Sequence, residues 1–261
     1  MPFSTWDTLA GWQPAAAAKA RPDSAVGDLG EEPAPGVAGG IAVQMLRESF
    51  PQWRIFWQFS TWKALQMRGY FARSNRGPGG DVAVFVRESS GIRVVEPRHE
   101  ERPPWWHAVA LVIAEVEGVD GLLRFASAHL APISPSLREI EAEAFGLLCE
   151  HPGPLIAGGD WNAVPAGDAI PDIEGIHPGK ARRKQDDRAA RALAEYMTDV
   201  GAHVRDTVPT VGHTRNDKLA YRCDRVYTTL PLESITGFEV IRDMDPDSDH
   251  RPVVARFRLG T

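Results

Sequence analysis

Two cysteines, Cys149 and Cys223, are all that the 261 residues contain. They are too few for a disulfide framework and lack zinc-ligand spacing, so neither a stapled scaffold nor a zinc module is expected. No apolar run approaches the roughly 18 residues a membrane-spanning helix needs, so no insertion into a membrane is expected. Residues Met1 to Asp7 show no positive stretch followed by an apolar core. No secretory leader is expected there, and a cytoplasmic location is the working expectation. Positive charge is also short: 29 Lys and Arg stand against 35 Asp and Glu, a net charge of −6. Broad, charge-driven adhesion to nucleic acid needs a basic surface. An acidic metal site is compatible with the sign, because a bound cation offsets its carboxylates. The balance favours a small, phosphorylated or otherwise non-polymeric substrate without excluding a nuclease. Residues 13–40 are rich in Ala, Pro and Gly and lack a β-branched run, which reads as a flexible or remodelled segment. The length suits one domain, 1–261, with one substantial core.

What is present centres on Leu155-Ile156-Ala157-Gly158-Gly159-Asp160-Trp161-Asn162. A short apolar run meets two glycines, and a carboxylate and a carboxamide follow. Strand, sharp turn, polar pair is how a sheet delivers chemistry at its edge. Alternate residues of an extended chain share a face, so Asp160 and Asn162 can address one ligand. The plain alternative is a surface turn rich in Gly and Asp.

Further stretches bear on the choice. Phe125 to Pro132 is a strand that ends on His129. Tyr221 to Tyr227 is strand-like and contains Asp224. A polar loop carrying Asp249 and His250 enters a strand over Val253 to Leu259. In chain order these read Ser127-Ala128-His129, Gly159-Asp160-Trp161-Asn162, Cys223-Asp224-Arg225-Val226 and Ser248-Asp249-His250-Arg251-Pro252. This resembles the endonuclease/exonuclease/phosphatase family of metal-dependent phosphoesterases, over roughly residues 80–261. Any one of the motifs is a common turn; four in order are specific.

The resemblance implies a DNase I-like fold, an α/β sandwich of two mixed β-sheets flanked by helices in four layers. It also implies a hydrolase of phosphate esters that uses Mg²⁺ or Mn²⁺. Asp249 and Glu31, with Asp7 nearby, would hold the metal. Asp7 stands where the family usually has Asn; it is either a ligand to a hard cation or a turn cap. Glu31, then Glu32, are the candidates for the metal-binding Glu, and a segment without that Glu is an open alternative. Asp224 would orient His250 and favour its cationic form. Asp160 would orient or deprotonate the attacking water, Asn162 would bond the developing charge, and His129 would assist the leaving group. Arg225, His213 and Lys180 are the candidate substrate contacts, Lys180 within the basic cluster His177 to Lys184 that otherwise reads as a solvated loop. Cys223-Asp224-Arg225-Val226 is similar to the inositol-phosphatase branch, although the Pro-Ser-Trp expected before it is absent. The substrate would be a phosphorylated small molecule or a nucleic acid. A repurposed site acting on a non-phosphate metabolite and a silent binding domain are the competing readings.

Local patterns give the remaining elements. Apolar residues at 41, 42, 45, 46 and 50 predict a helix over Ile41–Phe50, stopped by Pro51. Trp53 to Phe59 and Asp81 to Val86 read as strands. Ala108 to Val116 and Leu122 to Leu130 read as a hairpin, and Pro97 to Trp106 as a solvated rim. Ser136 with Glu139 forms a capping box for a helix whose apolar face is Leu137, Ile140, Ala144, Leu147 and Leu148. A second helix is expected over Asp186–Val200, ending at Gly201.

Overall fold

The computed structural model describes residues 41–45 (as backbone), 66–76, 80–214, 219–242 and 249–260. Its first sheet is antiparallel, with β1 (Ile41–Met45) and β2 (Met67–Ala72) on either side of β3 (Val82–Arg87). The second holds six strands. In spatial order they are β4 (Ile92–Pro97), β5 (Val109–Val116), β6 (Leu122–His129), β7 (Leu155–Asp160), β9 (Asp224–Thr228) and β8 (Thr198–Asp199). A hairpin-like pair, β10 (Ile235–Val240) and β11 (Val253–Phe257), is antiparallel.

Period-two burial explains the layering. In β5, Ala110, Val112 and Ala114 face one core while Val109 and Leu111 face the other. The first core joins this sheet to the smaller strands through Val82, Val84, Phe125, Ile156, Val226, Val253 and Phe257. The second lies under helices and contains Ala126, Ala128, Ala157, Trp161 and Tyr227. A sheet buried on both faces is the reason β3 and β7 read as continuous apolar runs rather than alternations.

Only β6 and β7 are parallel neighbours within the six-stranded sheet. The crossover between them is helix α1 (Pro135–Cys149), as a parallel connection requires. Its N-cap is Ser134, not Ser136: the Ser134 hydroxyl accepts from Leu137 N, and Pro135 follows at the first helical position, where no donor is lost. The buried face matches the expected one only in part, at Leu148 and Ala144. Ile140 and Leu147 are exposed, whereas Arg138, Glu141, Ala142, Phe145 and Leu148 are buried. The polar pair goes inside because each has partners there, described below.

Two other expectations are corrected. Ile41–Met45 is a strand, in antiparallel register with β3 from Ile41–Val86 to Met45–Val82. The β-branched Ile41 and Val43 suit a strand, and pairing with a buried neighbour outweighs the helical spacing. The expected helix over Asp186–Val200 is divided into α3 (Arg188–Ala194), β8 and α4 (Val200–His203). Asp199 divides it: its carboxylate accepts from Ala202 N, capping a new helix, while Thr198 and Asp199 pair with Thr228 and Tyr227. The basic cluster is helical rather than loop, as α2 (Pro178–Lys184). The Trp53 to Phe59 expectation lies outside the described residues. Among the described residues no helix is long and apolar enough to cross a membrane.

Candidate active site

The sheet register sets the site. His129 ends β6 opposite Asp160 at the end of β7, and Asp160 stands opposite Asp224 at the start of β9. Three neighbouring strands therefore place a His and two Asp side chains in one row. The row lies on the face that carries Phe125, Ile156 and Val226, where the two sheets meet.

Close strand approach is built into the motif. A Cβ on Gly159 would stand 1.9 Å from the Ala128 carbonyl oxygen, so β6 and β7 could not pair here with any larger residue. Beyond the strand, Asn162 takes φ 51°, a left-handed conformation that Asn tolerates. The turn is tied by Asn162 N donating to Asp160 Oδ1 at 2.9 Å and by Asn162 Nδ2 donating to the Leu130 carbonyl at 3.1 Å. Between them Trp161 is fully buried. Its Nε1 donates to the Arg225 carbonyl at 3.0 Å, and its ring meets Phe145 and Tyr227 edge-on at 5.2 and 4.8 Å. The residue that separates the two polar groups is thus the anchor that fixes both.

Asp160 is 2 % exposed, yet its carboxylate stays charged. Burial alone would raise its pKa; the nearby positive charges of His129, His250 and Lys184 reverse this and hold it below the usual range. Its Oδ2 lies 3.5 Å from His129 Nε2. The Cys223 thiol donates to Oδ1 at 2.8 Å. Burial, with Asp160 and Asp224 nearby, pushes the thiol pKa well up, so Cys223 keeps its proton and serves as a donor, not a nucleophile.

Asp224 is fully buried and takes both contacts to His250 Nδ1, at 2.9 and 3.1 Å. Its own backbone N–H donates to Thr210 Oγ1 at 2.9 Å. Burial would lower the pKa of His250, but the Asp224 carboxylate overcomes it and pushes the imidazole up to about 9. His250 is therefore an imidazolium at neutral pH. The adjoining Asp249 is exposed at the rim.

Of the residues singled out in the sequence, His129, Asp160, Asn162, Asp224 and His250 come together, with Asp249 beside them. Arg225 does not join them. It follows Asp224 on the strand and so faces the opposite side, fully buried with its guanidinium 5.5 Å from the Tyr227 ring centre under the helices. A substrate contact by Arg225 is corrected to a packing role. Lys180 lies on α2, one turn before Lys184, and Lys184 is the one that reaches Asn162. His213 is half-buried in the loop after Thr210. Asp7, Glu31 and Glu32 lie outside the described residues.

Several contributors escaped the sequence reading. His107 is buried and stacks on His129, ring centres 4.2 Å apart at 26°. Its Nδ1 is 2.9 Å from Ser74 Oγ, and Asn75 Nδ2 donates to the Trp105 and His107 carbonyls. Gly80 leaves it room, since a Cβ there would stand 2.0 Å from His107 Nδ1. The expected solvated rim holds for Pro97, Arg98, Glu101, Arg102 and Pro103, which are exposed, and is corrected at one residue, Trp105, which is buried against Phe145. Its apolar ring outweighs the surrounding charges and prolines.

Among the described residues no cluster of His, Cys, Asp and Glu side chains has the three donors a metal needs. Asp160 and Asp224 are each taken up by buried partners. Asp249, an exposed carboxylate, has the oxygen chemistry that suits a hard cation.

Comparison with known proteins bears on the family and the fold. The profile described as Endonuclease/Exonuclease/phosphatase family matches residues 7–250. Comparison with curated protein sequences finds no relative of this chain. Among solved structures, the inositol polyphosphate 5-phosphatase domain of SPsynaptojanin, in complex with inositol (1,4)-bisphosphate and calcium ion, is similar with a TM-score of 0.60 at 14% identity. That alignment covers 98% of this chain and 84% of that one. D. rerio TDP2, complexed with single strand DNA product, is similar with a TM-score of 0.59 at 14% identity over 83% of this chain and 85% of that one. An endonuclease/exonuclease/phosphatase from Bacteroides vulgatus gives 0.59 at 14% identity over 84% of each chain. At such identities the likeness is one of fold, and the sheets and flanking helices seen here are DNase I-like. With the profile spanning nearly the whole sequence, the chain belongs to the endonuclease/exonuclease/phosphatase family.

Proposed function

We propose that the protein is a divalent-metal-dependent hydrolase of phosphate esters whose active site is the row His129, Asp160 and Asp224, completed by Asn162 and His250. The observation that carries this reading is the buried Asp224–His250 pair beside a buried, charged Asp160. Ionised groups taken out of water are costly unless they have a task or a partner. Here they stand together where β6 and β7 end and β9 begins.

Hydrolysis must align a water, neutralise the phosphoryl oxygens and protonate the leaving oxygen. Asp160 is too weak a base to hold a proton for long, because surrounding cations depress its pKa. Its part is to accept a hydrogen bond from the attacking water and aim it at phosphorus. As the old P–O bond breaks, the protonated His129 gives its proton to the leaving oxygen; as the new P–O bond forms, Asp160 takes the water proton only in passing and hands it on to the now neutral His129. His250, kept cationic by Asp224, faces the phosphoryl oxygens, and Asn162 Nδ2 donates to the charge that develops. A divalent cation at Asp249, with Asp7 and Glu31 as the further candidate ligands, would supply Lewis-acid neutralisation of the phosphoryl group.

The negative net charge favours a compact phosphorylated substrate over duplex DNA, whose binding rests on phosphate neutralisation by basic surface. Purified protein assayed on p-nitrophenyl phosphate, bis-p-nitrophenyl phosphate and plasmid DNA tests the proposal. Hydrolysis is expected with Mg²⁺ or Mn²⁺, lost on chelation and restored by adding the metal back. Equal rates with chelator present would refute metal dependence and favour the repurposed reading.

A further inference from the structure

We propose that Lys184 is a further phosphoryl-binding residue of this site, acting jointly with Asn162; the assignment rests on the phosphoesterase reading.

The starting point is the Asn162 amide. Its Nδ2 donates to the Leu130 carbonyl, so which end of the amide is which is fixed by the backbone. The Oδ1 is then a lone acceptor within the polar site. A phosphoryl group offers only acceptors, and an uncapped amide oxygen beside it would repel it. Lys184 Nζ donates to that oxygen. The ammonium has three donors; one is used here, and two remain to meet an anion, its charge also acting on the nearby Asp160. Capping by Lys184 thus converts an acceptor-bearing corner into one that presents donors and positive charge.

The fold delivers this lysine deliberately. Lys184 is the last residue of α2. The preceding carbonyl, Arg183 O, accepts from Arg138 Nη2, and Arg138 Nη1 donates to the Ala131 carbonyl at 3.0 Å. Arg138 is wholly buried in α1. A single guanidinium therefore ties the end of α2 to the loop that leaves His129, the same loop whose Leu130 carbonyl holds Asn162. Glu141 secures that loop from the other side by accepting from Ala131 N at 2.8 Å. The ordinary account of a Lys at a helix end is attraction to the helix's own carbonyls. The contact made instead is with Asn162, across the chain by 22 positions. Arg182 and Arg183, its exposed neighbours, have no such tether to the site.

The test uses the full-length protein with Mg²⁺ and inorganic phosphate as the probe. Phosphate affinity is measured by calorimetry and, independently, as competitive inhibition of bis-p-nitrophenyl phosphate hydrolysis. Losing one charged hydrogen bond should weaken phosphate binding by about ten- to a hundredfold in Lys184→Gln. Lys184→Arg should recover a substantial part of the affinity, and Arg182→Gln should match the parent. The Arg variant also guards against misfolding, since it keeps the charge that Gln removes. If Lys184→Gln binds phosphate as the parent does while hydrolysis persists, the lysine assignment is overturned and the phosphoesterase reading stands. If the parent binds phosphate in a Lys184-dependent way yet hydrolyses nothing, the binding site is supported and only the hydrolytic reading falls. A parent that hydrolyses but does not bind phosphate overturns the lysine assignment alone, and a parent that does neither overturns both.

Discussion

At the scale of single residues, the site works because its polar groups are held by defined neighbours. His250 is the clearest case, cationic through Asp224 and poised beside Asp249. His250→Ala should lower turnover at least ~10²-fold while the chain keeps its circular dichroism spectrum, in line with the loss of a positioned acid–base or electrostatic group. His107 acts one step removed, through its stack on His129. His107→Ala should lower turnover by about tenfold, as expected when a reacting group loses its alignment. His107→Phe, which keeps a ring in place, should fall much less. Equal losses in the two variants would show that stacking is not what His107 contributes. The motif residues were legible in the sequence because their types and order announce chemistry. Lys184, Cys223 and His107 were not, because their roles arise from contacts 22, 63 and 22 positions away (107 to 129 for the last). Arg225 was misplaced for a simpler reason: one step along a strand changes the face.

At the scale of elements, α1 shows why periodicity alone misreads a helix. A hydrophobic pattern counts apolar side chains, yet this helix buries Arg138 and Glu141 and exposes Ile140 and Leu147. Glu141 is buried because two backbone N–H groups, of Trp106 at 2.6 Å and Ala131 at 2.8 Å, need an acceptor there. It thereby clamps the segment carrying His107 to the one leaving His129. Burial, only partly offset by those N–H donors and Arg138, raises the Glu141 pKa from 4.5 to about 7. The unfolded chain therefore releases this proton at lower pH than the folded one. The resulting stability is fully present below about pH 4.5 and is lost as pH rises through about 7. Glu141→Gln carries a pH-independent cost, since its amide nitrogen would face a backbone donor, but it does not titrate. Between pH 5 and 8 the parent should lose on the order of 1–3 kcal/mol relative to the variant, read by urea unfolding. A constant difference across that range would refute the titration of Glu141. The strand at Ile41–Met45 and the division of the helix at Asp199 escaped sequence reading for a related reason: strand pairing and a new cap decided both.

At the scale of the whole molecule, the six-stranded sheet does the placing. One parallel pair, crossed by α1, brings the ends of β6 and β7 together, and the antiparallel β9 supplies its start to the same edge. This much of the architecture was readable from four motifs at strand ends, since only a sheet gathers residues so far apart in sequence. The N-terminal third was not, because residues 13–40 lack strand pattern. The acidic character of the whole chain makes its own prediction. Binding that does not depend on many phosphate contacts is only weakly sensitive to salt. Hydrolysis of a small phosphate ester should change less than about threefold between 50 and 200 mM NaCl. A steep fall with salt would point to a polymeric, charge-steered substrate.

The most direct test of the central claim is the turnover of parent and Asp160→Asn, side by side, on bis-p-nitrophenyl phosphate with saturating Mg²⁺ or Mn²⁺. The substitution keeps size and shape while removing the charge that His129, His250 and Lys184 surround. A fall of at least ~10²-fold in a variant that melts as a folded protein is the predicted result. Parent-like turnover in that variant would contradict the assignment of this row as the active site.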